Sequence, residues 1–328
     1  MKHSIDWSNR TMCFKEKIVK LSEVDTSDNS FRITTQETVD DLVDSIRHVG
    51  LLNLPLLLEK KSRYIILCGF RRIEACRRLN RLDVKARMLH SDTKKLECAR
   101  YAVTDNAFQR PLNLIEKSRS IRMLSKFFTD NRRLSKEMSL LGVPCHESII
   151  KRIKDICCFS KPLQNSILSE NISLALALEL HKMSKDVEDG FVKLFNVLKL
   201  SVNKQREIVT LIKEIALRED IPMAQVLEGQ PLKRILNDED LDKNQKTRKI
   251  RTYLKQRRFP AITRAEQVFE EHRQNLKLGT GIKLIPPDNF ESPTYFLKFS
   301  FKDLNELKNL KEIFDPLIEN SSLKKILG

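Results

Sequence analysis

Tyr64-Ile65-Ile66-Leu67-Cys68-Gly69-Phe70-Arg71-Arg72-Ile73-Glu74-Ala75-Cys76-Arg77-Arg78-Leu79 is an apolar run that breaks at a glycine and resumes as a basic segment with apolar residues at helical spacing. It reads as strand, glycine turn, helix. A helix that starts directly behind a strand points its unsatisfied amides and positive dipole end past the strand tip, where an anion is stabilised. Gly69 lets a ligand come close to the backbone, and Arg71 and Arg72 add guanidinium forks suited to phosphate oxygens. Taken alone, the motif fits equally a plain strand end followed by a solvated helix face.

Outward from this stretch, Thr35 to His48 carries Val39, Leu42, Val43 and Ile46 at helical spacing, an acidic first turn and Gly50 behind it, which predicts a helix. Leu51 to Glu59 enters a short strand that turns at Lys60 to Arg63 and returns through Tyr64 to Cys68. Val84 to Leu89 alternates as a strand, and Thr93 to about Val103 follows as a helix. Before the first helix, only Lys17 to Leu21 is apolar, and Ser22 to Ser30 reads as an arm or loop.

Next comes Thr104-Asp105-Asn106-Ala107-Phe108-Gln109-Arg110-Pro111-Leu112-Asn113-Leu114-Ile115-Glu116. Asn113 and Glu116 have the spacing of a capping box, for a helix with Leu114, Ile121, Leu124 and Phe128 on its buried side. Asp105 and Asn106 place two oxygen-bearing side chains upstream. They fit an Asx turn, and they also fit the neighbourhood of a magnesium-bound nucleotide.

Arg132 to Pro144 reads as a Ser-capped helix, a turn at Gly142 and a buried Val143. Cys145 to Cys158 supplies a second helix with Ile149, Ile150, Ile153 and Ile156 on its core side. Two helices in this order fit a helix-turn-helix or an ordinary helical hairpin. The second helix carries His146, Ser148, Lys151, Arg152 and Lys154, residue types that reach base edges or phosphates in a major groove.

In order, these pieces resemble the N-terminal domain of ParB partition proteins from about residue 15 to 130. The residues that carry the resemblance are Ser45-Ile46, Gly50-Leu51-Leu52-Asn53, Pro55, Cys68-Gly69-Phe70-Arg71-Arg72, Asp105-Asn106 and Leu112-Asn113 through Glu116. The resemblance implies CTP with magnesium as ligand, held by Asn53, Gly69, Arg71, Arg72 and Asn106, with Asp105 near the metal. It also implies a helix-turn-helix that reads a double-stranded DNA operator, a homodimer, and a ParA-type ATPase as partner. Phe70 stands where the family has an acidic residue. Gln109 falls where the second motif ends in arginine, with Arg110 one place later. Those departures keep nucleotide binding as the expectation and leave weak CTP hydrolysis open.

The fold expected is multidomain α+β and mainly α. Residues 1–112 form a ParB-like α/β domain, and 113–230 an all-α DNA-binding domain with the helix-turn-helix at about 134–158. Residues 231–260 form a charged linker, and 261–328 a small α/β C-terminal module that serves dimerisation. The linker expectation rests on charge. Asp238 to Asp242 is acidic, whereas Lys243 to Arg258 holds eight basic residues and no acidic one. That basic half suits tracking phosphates, or packing down through Ile250, Tyr253 and Leu254. In the last segment the pattern is helix, strand (Ile282 to Ile285), turn, strand (Thr294 to Phe299), helix.

Sixty Lys and Arg against 44 Asp and Glu give the 328 residues a formal charge of +16, so a polyanion is the natural partner. A membrane is not expected, because no apolar run approaches the ~20 residues of a spanning helix and Met1 to Trp7 has no signal-peptide core. A cytoplasmic, nucleoid-associated protein is the expectation. Seven cysteines without a C-x-x-C pair argue against a disulfide framework and a zinc ribbon, and for reduced, mostly buried thiols. A sulfiredoxin-type enzyme is disfavoured, since its cysteine follows the glycine turn whereas Cys68 precedes Gly69. The alternative function is a ParB-fold transcriptional regulator without nucleotide switching, and the cargo stays open between chromosome and plasmid.

Overall fold

A computed structural model describes residues 14–279 and 281–327, so the Met1 to Trp7 segment and Cys13 lie outside the described residues. The chain divides into two compact units, up to Glu170 and from Asn171 on.

In the first unit the elements are β1 (Lys15–Lys20), β2 (Val24–Asp25), α1 (Asp40–Val49), β3 (Leu56–Lys60), β4 (Arg63–Cys68), α2 (Phe70–Arg78), β5 (Asp83–Leu89) and α3 (Lys95–Ala107). They are followed by α4 (Leu114–Leu124), α5 (Asn131–Leu140), α6 (Glu147–Ile153) and α7 (Lys161–Leu168). The five strands form one mixed sheet in the order β1-β5-β3-β4-β2. β3 pairs antiparallel with β4 and parallel with β5, and its register to β4 shifts between Leu56 and Leu57.

β4 is covered on both faces, which is why its sequence is a continuous apolar run. Tyr64 and Ile66 join Ile46, Ile73 and Cys76 in one core cluster. Leu67 and Cys68 join Leu56 and Cys98 in the other. Burying both faces fixes the strand's end, and so fixes where Gly69 turns the chain into α2.

α1 begins at Asp40, five residues later than the sequence pattern predicts. Its intended first turn is diverted: the Thr35 amide donates to Glu116 Oε1 at 2.9 Å, which holds residues 34–38 as an extended strap. α3 runs on to Ala107, so Asp105 and Asn106 sit on its last turn rather than in a loop. Asn106 Nδ2 donates to Ala102 O one turn back at 2.8 Å. The Asn113–Glu116 capping box forms as read. α4 ends at Leu124, leaving Phe128 beyond it.

α5 is capped by Asp130, whose side chain accepts from the Arg132 amide. Ser135, inside that helix, instead donates to Cys145 O at 2.6 Å across the turn. Gly142 has φ +82 and a Cβ there would lie 2.9 Å from the Phe108 ring, so both conformation and space demand glycine. α6 stops at Ile153, short of the expected Cys158. Ser118 Oγ donates to Lys154 O and accepts from the Cys157 amide, both at 3.0 Å, so one hydroxyl takes groups that a longer helix would pair internally. Ile149 is exposed, whereas Ile150, Ile153 and Ile156 are buried, which removes one residue from the expected apolar face.

The second unit holds α8 (Leu174–Leu180), α9 (Lys185–Leu198), α10 (Val202–Glu219), α11 (Met223–Leu227), α12 (Gln230–Asn237), α13 (Lys243–Arg258) and α14 (Pro260–Asn275). A hairpin of β6 (Ile282–Ile285) and β7 (Phe296–Phe299) and then α15 (Leu304–Glu319) and α16 (Ser321–Leu327) complete it. Phe191, Leu194, Phe195, Leu198, Ile208, Leu211, Ile212 and Ile215 are all buried, as their spacing predicts.

The stretch expected to be a linker is instead a helix of this unit. α13 packs on α10 and α9, with Ile250 and Leu254 fully buried. Half of its eight basic residues are neutralised locally: Arg251 and Lys255 pair with Glu207, Arg257 with Glu219 and Arg258 with Glu214. The packing runs through Ile250 and Leu254, two of the three residues that offered to pack this stretch down. In the last segment, Phe269, Leu276, Leu284, Leu317 and Ile326 form a small core of their own. Among the described residues, no helix is long and apolar enough to cross a membrane.

Candidate functional site

The strand–glycine–helix turn opens into a cavity of about 410 Å³. Asn53, Gly69, Arg71, Arg72, Asp105 and Asn106 all line it, brought from the loop before β3, the turn itself and the end of α3. Phe70, Gln109 and Arg110 line it too. Thr34 and Gln36 of the strap form a further wall that the sequence reading did not place there. The signal was hidden because the strap runs straight into the helical apolar period that starts at Val39 and is drawn away from it by a contact 81 residues distant.

Gly69 has φ +89, and a Cβ there would stand 3.0 Å from Pro55 Cβ and 3.2 Å from Arg72 Nε. The first backbone bond of α2 runs from the Ile73 amide to Gly69 O at 3.0 Å, so the amides of Phe70, Arg71 and Arg72 precede the ladder. Arg72 is 13% exposed. Its guanidinium donates to Asn53 O (3.0 Å), Leu54 O (3.1 Å) and Asp105 Oδ2 (3.3 Å). Arg71 donates to Thr38 O, Gln36 Oε1 and both carboxylate oxygens of Asp41. Phe70 packs on the sheet core and stacks under Arg32, whose guanidinium lies 5.8 Å from the ring centroid.

Cys68, just ahead of the turn, is buried, and burial followed by the neighbouring Asp105 charge pushes its thiol far above the ordinary range. A thiol held protonated is a poor nucleophile. Of the six described cysteines, Cys68, Cys76 and Cys98 are buried, Cys145 and Cys157 are half-buried and Cys158 is exposed.

Behind the cavity, Glu116 is wholly buried and holds four groups. Arg110 pairs with both its carboxylate oxygens (2.7 and 2.8 Å), Thr35 gives an amide and a hydroxyl, and Asn113 gives an amide. Burial by itself raises a carboxyl pKa. Here the bonds from Arg110, Thr35 and Asn113 outweigh it, and Glu116 stays below its ordinary value.

The donor set fits an oligophosphate: two guanidinium groups, helix-start amides and a glycine that leaves room for close approach. Asp105 and Asn106 supply oxygens for a metal carried by such a ligand, although Arg72 holds the Asp105 carboxylate. Among the described residues no cluster of three His, Cys, Asp or Glu forms a protein-held metal site.

The other candidate residues gather on α6. His146 is its N-cap, accepting from the Ser148 amide, and His146, Ser148, Lys151 and Arg152 are exposed. Lys154, the C-cap, is half-buried. Ion pairs join α5 to α3 at Arg100–Glu137 (2.6 Å) and the residues just after α6 to α4 at Arg122–Asp155 (2.8 Å).

An α/β domain with a phosphate-type turn, followed at once by paired helices with a basic face, is the class this fold and site define. Residues 9–107 match the ParB N-terminal domain, so this part of the chain is similar to the N-terminal domain of ParB-type partition proteins. Two curated relatives carry the name "Probable chromosome-partitioning protein ParB". The one from Helicobacter pylori is 23% identical over 177 residues, 54% of this chain and 59% of that protein, so the match spans little more than half of that relative. The one from Campylobacter jejuni is 27% identical over 205 residues, 62% of this chain and 70% of that protein. Among solved structures, C-terminally truncated Caulobacter crescentus ParB complexed with CTP-gamma-S is 18% identical, with a TM-score of 0.26 over 55% of this chain and 98% of that one. The same protein complexed to the centromeric parS site is 17% identical, with a TM-score of 0.32 over 58% of this chain and 96% of that one.

Proposed function

We propose that this chain is a ParB-like DNA-binding protein that acts in chromosome or plasmid partition, with CTP and magnesium at the cavity around Gly69. The observation that carries the reading is the convergence of Asn53, Gly69, Arg71, Arg72, Asp105 and Asn106 on one cavity, although they are up to 53 residues apart in sequence. The triphosphate lies against Arg71, Arg72 and the first amides of α2, and Asp105 with Asn106 faces its metal. α5 and α6 act as a helix-turn-helix in which His146, Ser148, Lys151, Arg152 and Lys154 meet an operator. The C-terminal module pairs two copies, CTP closes the pair as a clamp on nucleoid DNA, and a ParA-type ATPase moves the complex.

A second reading, a regulator of the same fold without nucleotide switching, draws on Phe70. An apolar ring stands inside the turn, packed on the core, where it offers no carboxylate to position water or metal. One experiment separates the two. CTP binding and turnover are measured for wild type and Arg71→Ala, with and without a duplex selected for tight binding. The clamp reading expects CTP affinity that Arg71→Ala weakens more than tenfold. No CTP affinity in any condition would leave the regulator.

A further inference from the structure

A second cavity lies on the opposite side of the strap, bounded by α4 and the segment from Cys157 to Lys161, with a volume of about 460 Å³. It meets the Gly69 cavity only at Thr34, which lines both. Its volume falls within the ~300–1,000 Å³ typical of small-ligand clefts.

Its walls are cationic. Arg32, Arg119, Arg122, Lys126 and Lys161 line it, against the single carboxylate of Glu37. Glu37 is held by Lys161 at 3.3 Å, and Arg122 is engaged by Asp155. Among the described residues Arg32, Arg119 and Lys126 have no carboxylate partner. Arg119 is the telling one. It is half-buried and donates only to the carbonyls of Ile33 and Thr34, at 3.1 and 2.6 Å. Burial, with the Arg32 charge nearby, holds its guanidinium below the ordinary value. A half-buried cation beside other cations is costly unless an anion joins it.

We infer that this cavity is a second anion site, separate from the Gly69 cavity, that takes a small phosphate-bearing ligand between the strap and α4. The volume suits a small oligophosphate, and duplex DNA is the competing occupant that the test separates from it. Cys158, exposed on the same wall with its sulfur 4.0 Å from that of Cys157, reports on occupancy. The inference does not depend on the identity of the ligand at Gly69.

The test is alkylation of Cys158 by iodoacetamide, read by peptide mass spectrometry, with pyrophosphate as probe. We expect pyrophosphate to slow alkylation at least fivefold in wild type and in Arg72→Ala, and to have no effect in an Arg122→Ala/Lys126→Ala double variant. Circular dichroism confirms that the double variant is folded. Absence of protection in wild type, or protection that survives the double substitution, overturns the inference. So does protection that disappears in Arg72→Ala, which would place the anion at Gly69, or protection by duplex DNA but not by pyrophosphate. A parallel CTP titration reads the Gly69 cavity independently.

Discussion

Arg72 and Asp105 meet at 3.3 Å, a guanidinium from the first turn of one helix against a carboxylate from the last turn of another. Both face the same cavity, so the side chain best placed to take a phosphate is already in use. Ligand binding there must therefore compete with an ion pair. Replacing Asp105 by Asn releases Arg72 and removes a negative charge. Without added metal, Asp105→Asn should bind CTP several-fold more tightly than wild type, whereas Arg72→Ala should bind more than tenfold less tightly. Titration calorimetry with and without magnesium measures both, and with magnesium the gain from Asp105→Asn should shrink or reverse.

Gly69 is held in the left-handed region against Pro55. Gly69→Ala should destabilise the first unit by about 1 to 2 kcal/mol from backbone conformation alone, with the Pro55 contact adding to it. Urea unfolding followed by a probe within the first unit reads this, and unchanged stability would mean that the turn relaxes.

Glu116 gives the first unit an acid limit. Its folded-state pKa lies below the ordinary 4.5. Its contribution is therefore complete above that ordinary value and is lost as pH falls through the folded value. Glu116→Ala leaves the part-exposed Arg110 and the Thr35 and Asn113 amides without their acceptor and should cost about 1 to 3 kcal/mol. In wild type the strap should loosen on acidification, seen as faster hydrogen exchange at the Thr35 amide, and in Glu116→Gln that acid step should disappear.

Lys151 and Arg152 are exposed on α6 and have no ion-pair partner among the described residues. Replacing both by Ala should abolish the preference for a selected duplex over random DNA. Each phosphate left without its cation should also flatten the log–log salt dependence by about 0.9. An unchanged preference would show that α6 does not read sequence.

Leu254 tests whether α13 is structural. As a fully buried leucine, it should cost about 2 to 5 kcal/mol when cut to Ala. In a solvated linker the same change would cost almost nothing, so thermal unfolding of the second unit distinguishes the two.

The strand–Gly69–helix turn, the capping box at Asn113 and the core stripes of α9 and α10 were legible because each depends on neighbours within a few residues. The misread stretches depend on distant ones. The strap looks helical until Glu116 captures Thr35, α6 looks longer until Ser118 takes its end, and α13 looks like linker until the glutamates of α10 meet it. The site followed the same division: residues on the turn were readable, whereas Thr34 and Gln36 reach the cavity only because of that capture.

The ion pairs of α13 have a consequence for how strongly this molecule behaves as a polyelectrolyte. The formal +16 already sets every carboxylate against a cation but does not say where the surplus lies, and half of α13's eight cations are occupied by glutamates of α10. Counterions gather around exposed, unmatched charge, so the surplus that a titrating polyanion meets is localised away from the paired half of α13 rather than spread evenly over its cations. High salt, by weakening those internal pairs, would loosen the helix even as it drives nucleic acid off the surface.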